Sequence, residues 1–240
     1  KMVCTVAALQ QVDRGVLELD APVDSYRPEF ADLGVLEGFD GDVPKIRPAG
    51  ARATVRQLMT HTSGLAYWFL DEDLQRWEAV TGVPNVIPGM AVSFTAPLVC
   101  DPGTRYQYGI NTDWLGRVVE TVTGQTLDVV IKENITGPLG MDDTTFQRDD
   151  AQRANTIPIH IQDADGQWGV LPQLGPWASE GELLNQAPDW WAGGHGLYST
   201  PRDYIRFERA LLRNGELDGA RILASTTVDE AFTNQIGELD

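Results

Sequence analysis

This 240-residue chain contains three histidines, and each is a candidate for a chemical role. His195 lies between glycines in GGHG (193–196), where the backbone can come close to another segment. We predict that His195 faces a pocket, with an ordinary packed loop as the alternative. His61 precedes the end of a predicted helix and is expected to bond the last carbonyls of that helix. His160 lies in the alternating stretch IPIHIQ and is predicted to belong to a strand.

Serine and tyrosine hydroxyls form a second set of candidates. Ser63 lies in T-S-G without a glycine two residues before it, so the nucleophile elbow of an α/β-hydrolase is absent. Tyr106 and Tyr108 follow a Pro-Gly turn and precede a predicted helix. A tyrosine held there becomes a general base if a neighbouring cation lowers its pKa. The alternative is an aromatic pair that packs the turn.

The elements that must position these side chains are mostly helices, marked by apolar spacing, capping residues and glycine stops. A T-x-x-Q capping box at Thr54 and Gln57 starts one helix, and Gly64 is predicted to end it in a left-handed conformation. The predicted helices are residues 1–14 before Gly15, residues from 54 through Met59, residues 71–81, a helix capped by Asn111 or Thr112 and stopped by Gly124, a helix from Thr126, and a helix that starts at Ser199-Thr200-Pro201. Clear strands are few. Residues 147–192 are polar, tryptophan-rich and irregular, and a loop of that length is predicted to be functional.

Composition excludes several classes of protein. With 18 Lys+Arg against 35 Asp+Glu, the net charge is −17, which rules out the basic footprint of a nucleic-acid binder and disfavours an anionic membrane surface. No run of 18 apolar residues is present, so no membrane span is predicted. No basic leader followed by an apolar stretch opens the given residues, which begin Lys-Met inside a predicted helix. We expect a cytoplasmic protein, with a periplasmic or secreted location as the alternative. The acidic surface reflects either salt adaptation or solubility.

The chain offers little for metals, cofactors or disulfides. Cys4 and Cys100 are too few for a disulfide framework, and we expect free thiols, with one bridge as the alternative. No CxxC or HExxH pattern occurs, so no metal site is predicted. The absence of GxxxxGK[ST] and GxGxxG likewise predicts no nucleotide cofactor.

Four segments together resemble the serine β-lactamase-related hydrolases. In that family an S-x-x-K motif opens a helix that is followed by G-x-L-x-L-D-x-P-V. Later motifs include LLTHTSGL, a PG…Y…LG…TG…PLGM block and GGxGL. The matching segments here are KMVCTVAALQQVDRGVLELDAPV (1–23), VRQLMTHTSGL (55–65), PGTRYQYGINTDWLGRVVETVTGQTLDVVIKENITGPLGMDDTTF (102–146) and GGHGLYSTPRDYIRFERALLRNGELDGARIL (193–223).

Within this superfamily the chain looks most similar to the family VIII carboxylesterases, which are esterase relatives of class C β-lactamases. HTSGLAYWF and the spacing Y-x-x-x-x-D-x-L-G from Tyr108 to Gly116 carry this likeness. The usual Y-x-N of penicillin-recognising members is altered, because Asn111 stands one place late. That departure weakens the β-lactamase and DD-peptidase alternatives.

The resemblance implies an α+β fold of the β-lactamase/transpeptidase type, in which an antiparallel sheet is flanked by helices and joined by a helical subdomain. Residues 1–240 are expected to form the interior part of one such domain. In the family the nucleophilic serine lies three residues before the lysine that falls on Lys1, and a last motif strand is expected beyond Asp240. We therefore expect the 240 residues alone neither to fold well nor to hydrolyse esters.

The resemblance also implies the site and its reaction. Lys1 takes the place of the relay base and Tyr108 that of its partner, so that a serine attacks the ester and an acyl-enzyme forms. Trp177 and Tyr198 are expected to add to an aromatic acyl pocket, with ordinary packing as the alternative. The predicted substrate-pocket residues are Asn111, Trp190, Trp191, His195 and Gly196.

The function that follows is a serine carboxylesterase acting on small, uncharged, short-chain acyl esters. The alternatives are a β-lactamase or DD-peptidase-like hydrolase, a non-catalytic relative that uses the scaffold for binding, and acyl transfer to an alcohol. The residue three places before Lys1 separates the enzyme from the non-catalytic relative. Nothing in the sequence indicates an oligomeric state.

Overall fold

The computed structural model describes residues 1–176, 178–185 and 188–239. Helices provide most of the regular structure. The α-helices are α1 (Met2–Asp13), α2 (Val55–Met59), α3 (Glu72–Thr81), α4 (Asn111–Thr123), α5 (Leu127–Ile131), α6 (Asp150–Ala154), α7 (Pro201–Leu212) and α8 (Ser225–Ala231). Short 3-10 segments occupy Val23–Ser25, Pro28–Asp32, Trp68–Leu70 and Ala91–Thr95, and a π-helical turn, Lys132–Thr136, continues α5.

The strands of the described residues pair into separate two-stranded antiparallel sheets. These are β1 (Val35–Asp40) with β2 (Val43–Arg47), β3 (His160–Gln162) with β4 (Trp168–Val170), and β5 (Glu216–Leu217) with β6 (Ala220–Arg221). The fold is therefore mixed, with helices and small antiparallel sheets, as expected. His160 begins β3, which confirms its prediction as a strand residue.

The main hydrophobic core lies where α1 packs against α4. Gly116 makes the close approach possible, because a Cβ there would lie 2.9 Å from Leu127 and 3.7 Å from the Cys4 sulfur. Trp114 is 1% exposed, and its ring meets Phe30 and Phe94 edge-on at centroid distances of 4.8 and 4.9 Å. Edge-to-face aromatic contacts add directional packing to area burial. The core thus fixes the first turn of α1 beside the first turn of α4.

Helix ends agree with the sequence in several places. The Thr54–Gln57 capping box at α2 is formed in both directions, and the Thr200 side chain caps α7 ahead of Pro201. Gly124 ends α4 with φ +67°. These predictions are confirmed. They could be made from the sequence because each depends only on residues within one helical turn.

Two predicted caps are wrong. Helix α4 begins at Asn111, and Ile110 takes the N-cap position, so neither Asn111 nor Thr112 caps it. After α2 the left-handed residue is His61, with φ +58°. Gly64, with φ +90°, serves instead to let the chain pass Cys100, whose carbonyl oxygen would lie 2.3 Å from a Cβ.

Cys4 and Cys100 are free thiols, as expected. In the described part of the chain no helix combines the length and the apolar character needed to cross a bilayer. Between residues 147 and 192 the structure places α6 and the β3–β4 hairpin, so this long segment has regular structure of its own.

Candidate active site

Lys1 occupies the N-cap position of α1 and points at two tyrosines. Its Nζ donates a hydrogen bond of 2.8 Å to the Tyr67 hydroxyl. The same Nζ lies 5.0 Å from the centre of the Tyr67 ring and 4.8 Å from that of Tyr108. Both distances fall within the range of cation–π attraction. The structure therefore brings Lys1 and Tyr108 together and adds Tyr67, which the sequence did not single out.

Burial sets the protonation of this cluster. It lowers the pKa of the Lys1 ammonium, and the charge of Asp113 opposes that change. It raises the pKa of the Tyr67 phenol, so Tyr67 stays neutral at ordinary pH. Burial also raises the pKa of Tyr108, followed by the effects of Tyr106 and Asp113. The hypothesis that a cation lowers the tyrosine pKa is therefore wrong, and Lys1 is the group made more available as a base.

Tyr108 is positioned by close packing of its loop on the segment after α2. The Gln107 backbone N–H donates to the His61 carbonyl at 2.7 Å. A Cβ on Gly109 would lie 2.3 Å from the Leu65 carbonyl oxygen, so only glycine allows this approach. The Tyr108 ring then rests on the His61 imidazole, with centroids 4.8 Å apart.

Asn111 joins the same two segments. It is completely buried. Its Nδ2 contacts His61 Nδ1 at 3.0 Å and the Leu65 carbonyl at 3.3 Å, while its Oδ1 accepts from Ser63 Oγ. Because protein groups engage both ends of the amide, this geometry favours a positioning role over the predicted pocket role.

His61 has the structural role expected of it, but with other partners. Its Nδ1 faces the Asn111 amide and, at 3.4 Å, the Gly109 N–H, and not the carbonyls of α2. Burial lowers the pKa of this imidazole to about 4. His61 is therefore neutral and adds no charge beside Tyr108.

Asp113 is a second residue of this candidate site that sequence reasoning missed. It is completely buried on the first turn of α4. Its Oδ1 accepts from the Gly194 backbone N–H at 2.8 Å and lies 3.6 Å from His195 Nδ1, while Oδ2 has no hydrogen-bond partner among the described residues. A Cβ on Gly194 would lie 2.6 Å from that Oδ2. The available signal was the D of Y-x-x-x-x-D, five residues after Tyr108.

The predicted pocket residues Trp190, Trp191, His195 and Gly196 do come together around one cleft. The cleft leaves only about 20 Å³, which is room for about one water molecule. Trp190 is 3% exposed and packs against Phe94 at 4.6 Å. As it stands in this structure, the cleft does not accommodate an acyl group.

Two further aromatic residues were predicted near this cleft. Trp177 lies outside the described residues. Tyr198 has its ring 3.9 Å from the Arg148 guanidinium and pairs through its backbone with Thr145.

Burial lowers the pKa of His195, and Asp113 opposes the change, so a neutral imidazole is favoured at the cleft.

A lysine that opens a buried helix and meets tyrosines from two loops agrees with the arrangement that the resemblance to the serine β-lactamase-related hydrolases implies. The Beta-lactamase family profile matches residues 1–237. The chain belongs to this family.

The relatives that the chain matches include an esterase and acyltransferases. It is 37% identical over 243 residues to a lovastatin esterase of Penicillium rubens, covering 99% of this chain and 58% of that protein. It is 35% identical over 237 residues to a monacolin J acid methylbutanoyltransferase of Aspergillus terreus, covering 97% of this chain and 54% of the relative. The structure of a simvastatin synthase mutant from Aspergillus terreus superposes with a TM-score of 0.80 at 33% identity, over 96% of this chain and 54% of that one. The chain spans a little over half the length of these relatives.

Proposed function

We propose that the protein containing this chain is a serine ester hydrolase that works through an acyl-enzyme on small, uncharged, short-chain esters. The observation that supports it most is the Lys1 Nζ at the start of α1, within reach of the Tyr67 hydroxyl and over the Tyr108 ring. A serine three residues before Lys1 would lie on the same helical face. A lysine of lowered pKa beside it is the base that a serine hydroxyl needs.

The proposed reaction proceeds in two halves. The serine hydroxyl gives its proton to neutral Lys1 while its oxygen attacks the ester carbonyl, which forms a tetrahedral oxyanion. The carbon–alcohol bond then breaks, and the alcohol leaves with a proton passed from Lys1 through the Tyr108 hydroxyl. In the second half, water attacks the acyl-enzyme, the relay takes the proton of the water, and the acid is released with the serine restored.

Acyl transfer to an alcohol is the second candidate, because several relatives carry acyltransferase names. It uses the same residues, with the acceptor alcohol replacing water in the second half. Competing water and acceptor alcohol in one assay separates the two by the ratio of acid to new ester formed.

A fluorophosphonate label tests the proposal on the full-length protein. We expect one labelled serine, three residues before Lys1, and loss of labelling and of 4-nitrophenyl acetate hydrolysis when that serine becomes alanine. The Lys1→Met variant should lose turnover by a factor on the order of 100 or more. Alanine or glycine at that position in the full-length protein, or labelling elsewhere, would contradict the proposal and favour the non-catalytic alternative.

A further inference from the structure

A large groove lies along α3 and is called here the α3 groove. It encloses about 640 Å³ and is open to solvent. Its lining residues come from α3 and from the loops that face it: Trp68, Gln75, Glu78, Ala79, Gly82, Val83, Pro84, Asn85, Ile87, Pro88, Leu174 and Leu183. A space of this size accepts a whole small-molecule moiety, whereas the cleft beside His195 leaves about 20 Å³.

The α3 groove meets the Lys1 cluster at one residue and the His195 cleft at another. Trp68 follows Tyr67 in the chain, and their rings meet edge-on with centroids 6.1 Å apart. Ile87 lines both the α3 groove and the His195 cleft. The groove is therefore next to the Tyr67 side of the Lys1 cluster, where a substituent of an ester held at Lys1 would enter it.

The groove lining is mostly apolar, and its polar side chains are Gln75, Asn85 and Glu78. Glu78 is the one ionisable side chain among the described lining residues. Within the described chain its carboxyl makes no ion pair and no hydrogen bond, and it lies half-buried on α3. Burial raises its pKa to about 7. The carboxyl is thus present in both forms near neutral pH, as an acceptor when ionised and as a donor when protonated.

These features select a class of ligand. The apolar part of a ligand would pack against the wall made by Trp68, Ile87 and Leu174. A hydroxyl group both donates and accepts, so it can pair with Glu78 in either protonation state. An anionic group would meet a carboxylate in a chain of net charge −17 and is disfavoured.

We propose that the α3 groove binds a bulky, apolar, hydroxyl-bearing moiety, with Glu78 as its polar anchor. The idea that this moiety belongs to the ester substrate or its alcohol rests on the proposed function. The binding itself does not, because it can be measured without turnover.

Calorimetric titration of the full-length protein with borneol, a bicyclic alcohol, tests the binding. Camphane has the same skeleton without the hydroxyl. We expect borneol to bind more tightly than camphane. The Ala79→Trp substitution should weaken borneol binding about tenfold or more by filling the groove. Val80→Trp is the matched control, since Val80 is exposed on the same helix and does not line the groove, and it should change the Kd less than about twofold.

A second variant tests the anchor. Glu78→Leu should weaken borneol about fivefold and remove its advantage over camphane. Equal effects of Ala79→Trp and Val80→Trp, or binding of camphane as tight as that of borneol, would overturn the proposal.

Turnover separates the groove from the catalytic assignment. If the protein hydrolyses esters, Ala79→Trp should lower the ratio of kcat/KM for bornyl acetate to that for ethyl acetate about tenfold. If no ester is hydrolysed but borneol binds with the expected pattern of variants, the proposed function fails and the groove assignment stands. If esters are hydrolysed and borneol does not bind, the groove assignment fails alone.

Discussion

At the scale of single residues, Asp113 sets the charge balance around Lys1. Burial lowers the pKa values of Lys1 and His195, and the charge of the buried Asp113 carboxylate opposes that lowering. The same charge adds to the rise in the pKa values of Tyr67 and Tyr108. The Asp113 carboxylate also holds the GGHG loop (193–196) in place by accepting a hydrogen bond from the Gly194 backbone N–H. One carboxylate therefore links the charge at Lys1 to the position of the loop that carries His195.

The Asp113→Asn substitution should move the acid limb of the kcat/KM profile to lower pH. Removing the carboxylate removes its raising effect, so the pKa of Lys1 falls further and the neutral base persists at lower pH. The groups facing this carboxylate are Lys1 and Cys4 of α1, Tyr67, Tyr108 and His195. The asparagine Oδ1 can still accept from Gly194, which keeps the loop in place.

The pH profile of kcat/KM for the full-length protein measures this change. Asp165→Asn is the control, because it removes one exposed carboxylate from the turn between β3 and β4. A limb that shifts equally in both variants, or moves to higher pH for Asp113→Asn, would contradict the role given to Asp113.

The Tyr108→Phe substitution should reduce kcat by about 100- to 10,000-fold, the range of a lost proton-transfer group. The ring contacts with His61 and Lys1 remain, so the melting temperature should stay unchanged. Tyr67→Phe is the informative comparison, since it removes the hydroxyl that bonds Lys1 Nζ. If Tyr67→Phe abolishes turnover while Tyr108→Phe leaves it near that of the unmodified protein, Tyr67 is the relay partner.

At the scale of elements, the site depends on two loops that pack at backbone distance. The segment after α2 and the segment before α4 are joined by the Gln107–His61 hydrogen bond and by the buried Asn111 amide. Gly109 sits where a Cβ would overlap Leu65 and Ala66. The placement of Tyr108 over Lys1 is therefore a property of both loops together.

The Gly109→Ala substitution should lower the free energy of unfolding by about 1–3 kcal/mol, because the added methyl forces the two loops apart. Turnover should fall with it, as Tyr108 moves from Lys1. Gly169→Ala on β4 is the matched control, since nothing lies within 4 Å of a Cβ there. Chemical denaturation measures both variants, and equal stability of the two would contradict this account.

Helix α3 carries a carboxyl whose burial makes stability depend on pH. The pKa of Glu78 is raised from 4.5 to about 7, so the native state binds its proton more tightly than the unfolded state. The stabilising effect of that proton is complete below about pH 4.5 and is lost as the pH rises through about 7. Near pH 8 the ionised Glu78 carboxylate therefore destabilises the folded state.

Glu78→Gln should raise the unfolding free energy near pH 8 by about 1–2 kcal/mol, after allowance for the solvent-exposed part of the side chain. Near pH 4 the two proteins should be equally stable. Thermal melts should show a rise of roughly 2–4 °C per kcal/mol at the higher pH only. Glu208→Gln, on the exposed surface of α7, should show no such pH-dependent difference.

Helices were predictable here where local signals suffice. The capping box at Thr54, the stop at Gly124 and the Thr200-Pro201 start all depend on residues one turn apart. The site was predictable only through family resemblance, because a lysine gives no local sign of burial. Tyr67 and Asp113 were missed because their roles depend on contacts with residues distant in sequence, Lys1 and Gly194.

At the scale of the whole molecule, the acidic surface bears on the choice of substrate. The chain carries −17, and arginines take part in ion pairs at several exposed places, such as Arg52 with Asp24 and Arg56 with Asp20. Pairing of this kind leaves an excess of carboxylates over the surface. Such an excess lowers the local concentration of anions by an amount that depends on salt.

Salt should therefore change the hydrolysis of an anionic ester and not of its neutral counterpart. The matched pair is 4-acetoxybenzoate and its methyl ester, which share the acetyl group and the ring. At about 10 mM salt the Debye length is about 30 Å, and the anion should be hydrolysed with a several-fold lower kcat/KM than the methyl ester. At about 0.5 M salt the screening is nearly complete beyond the first few ångströms, so the difference should shrink to what the α3 groove and the Lys1 cluster impose locally. Faster hydrolysis of the anion at low salt would mean that Lys1 and the surface arginines dominate the field at the site, and that the net charge does not select the substrate.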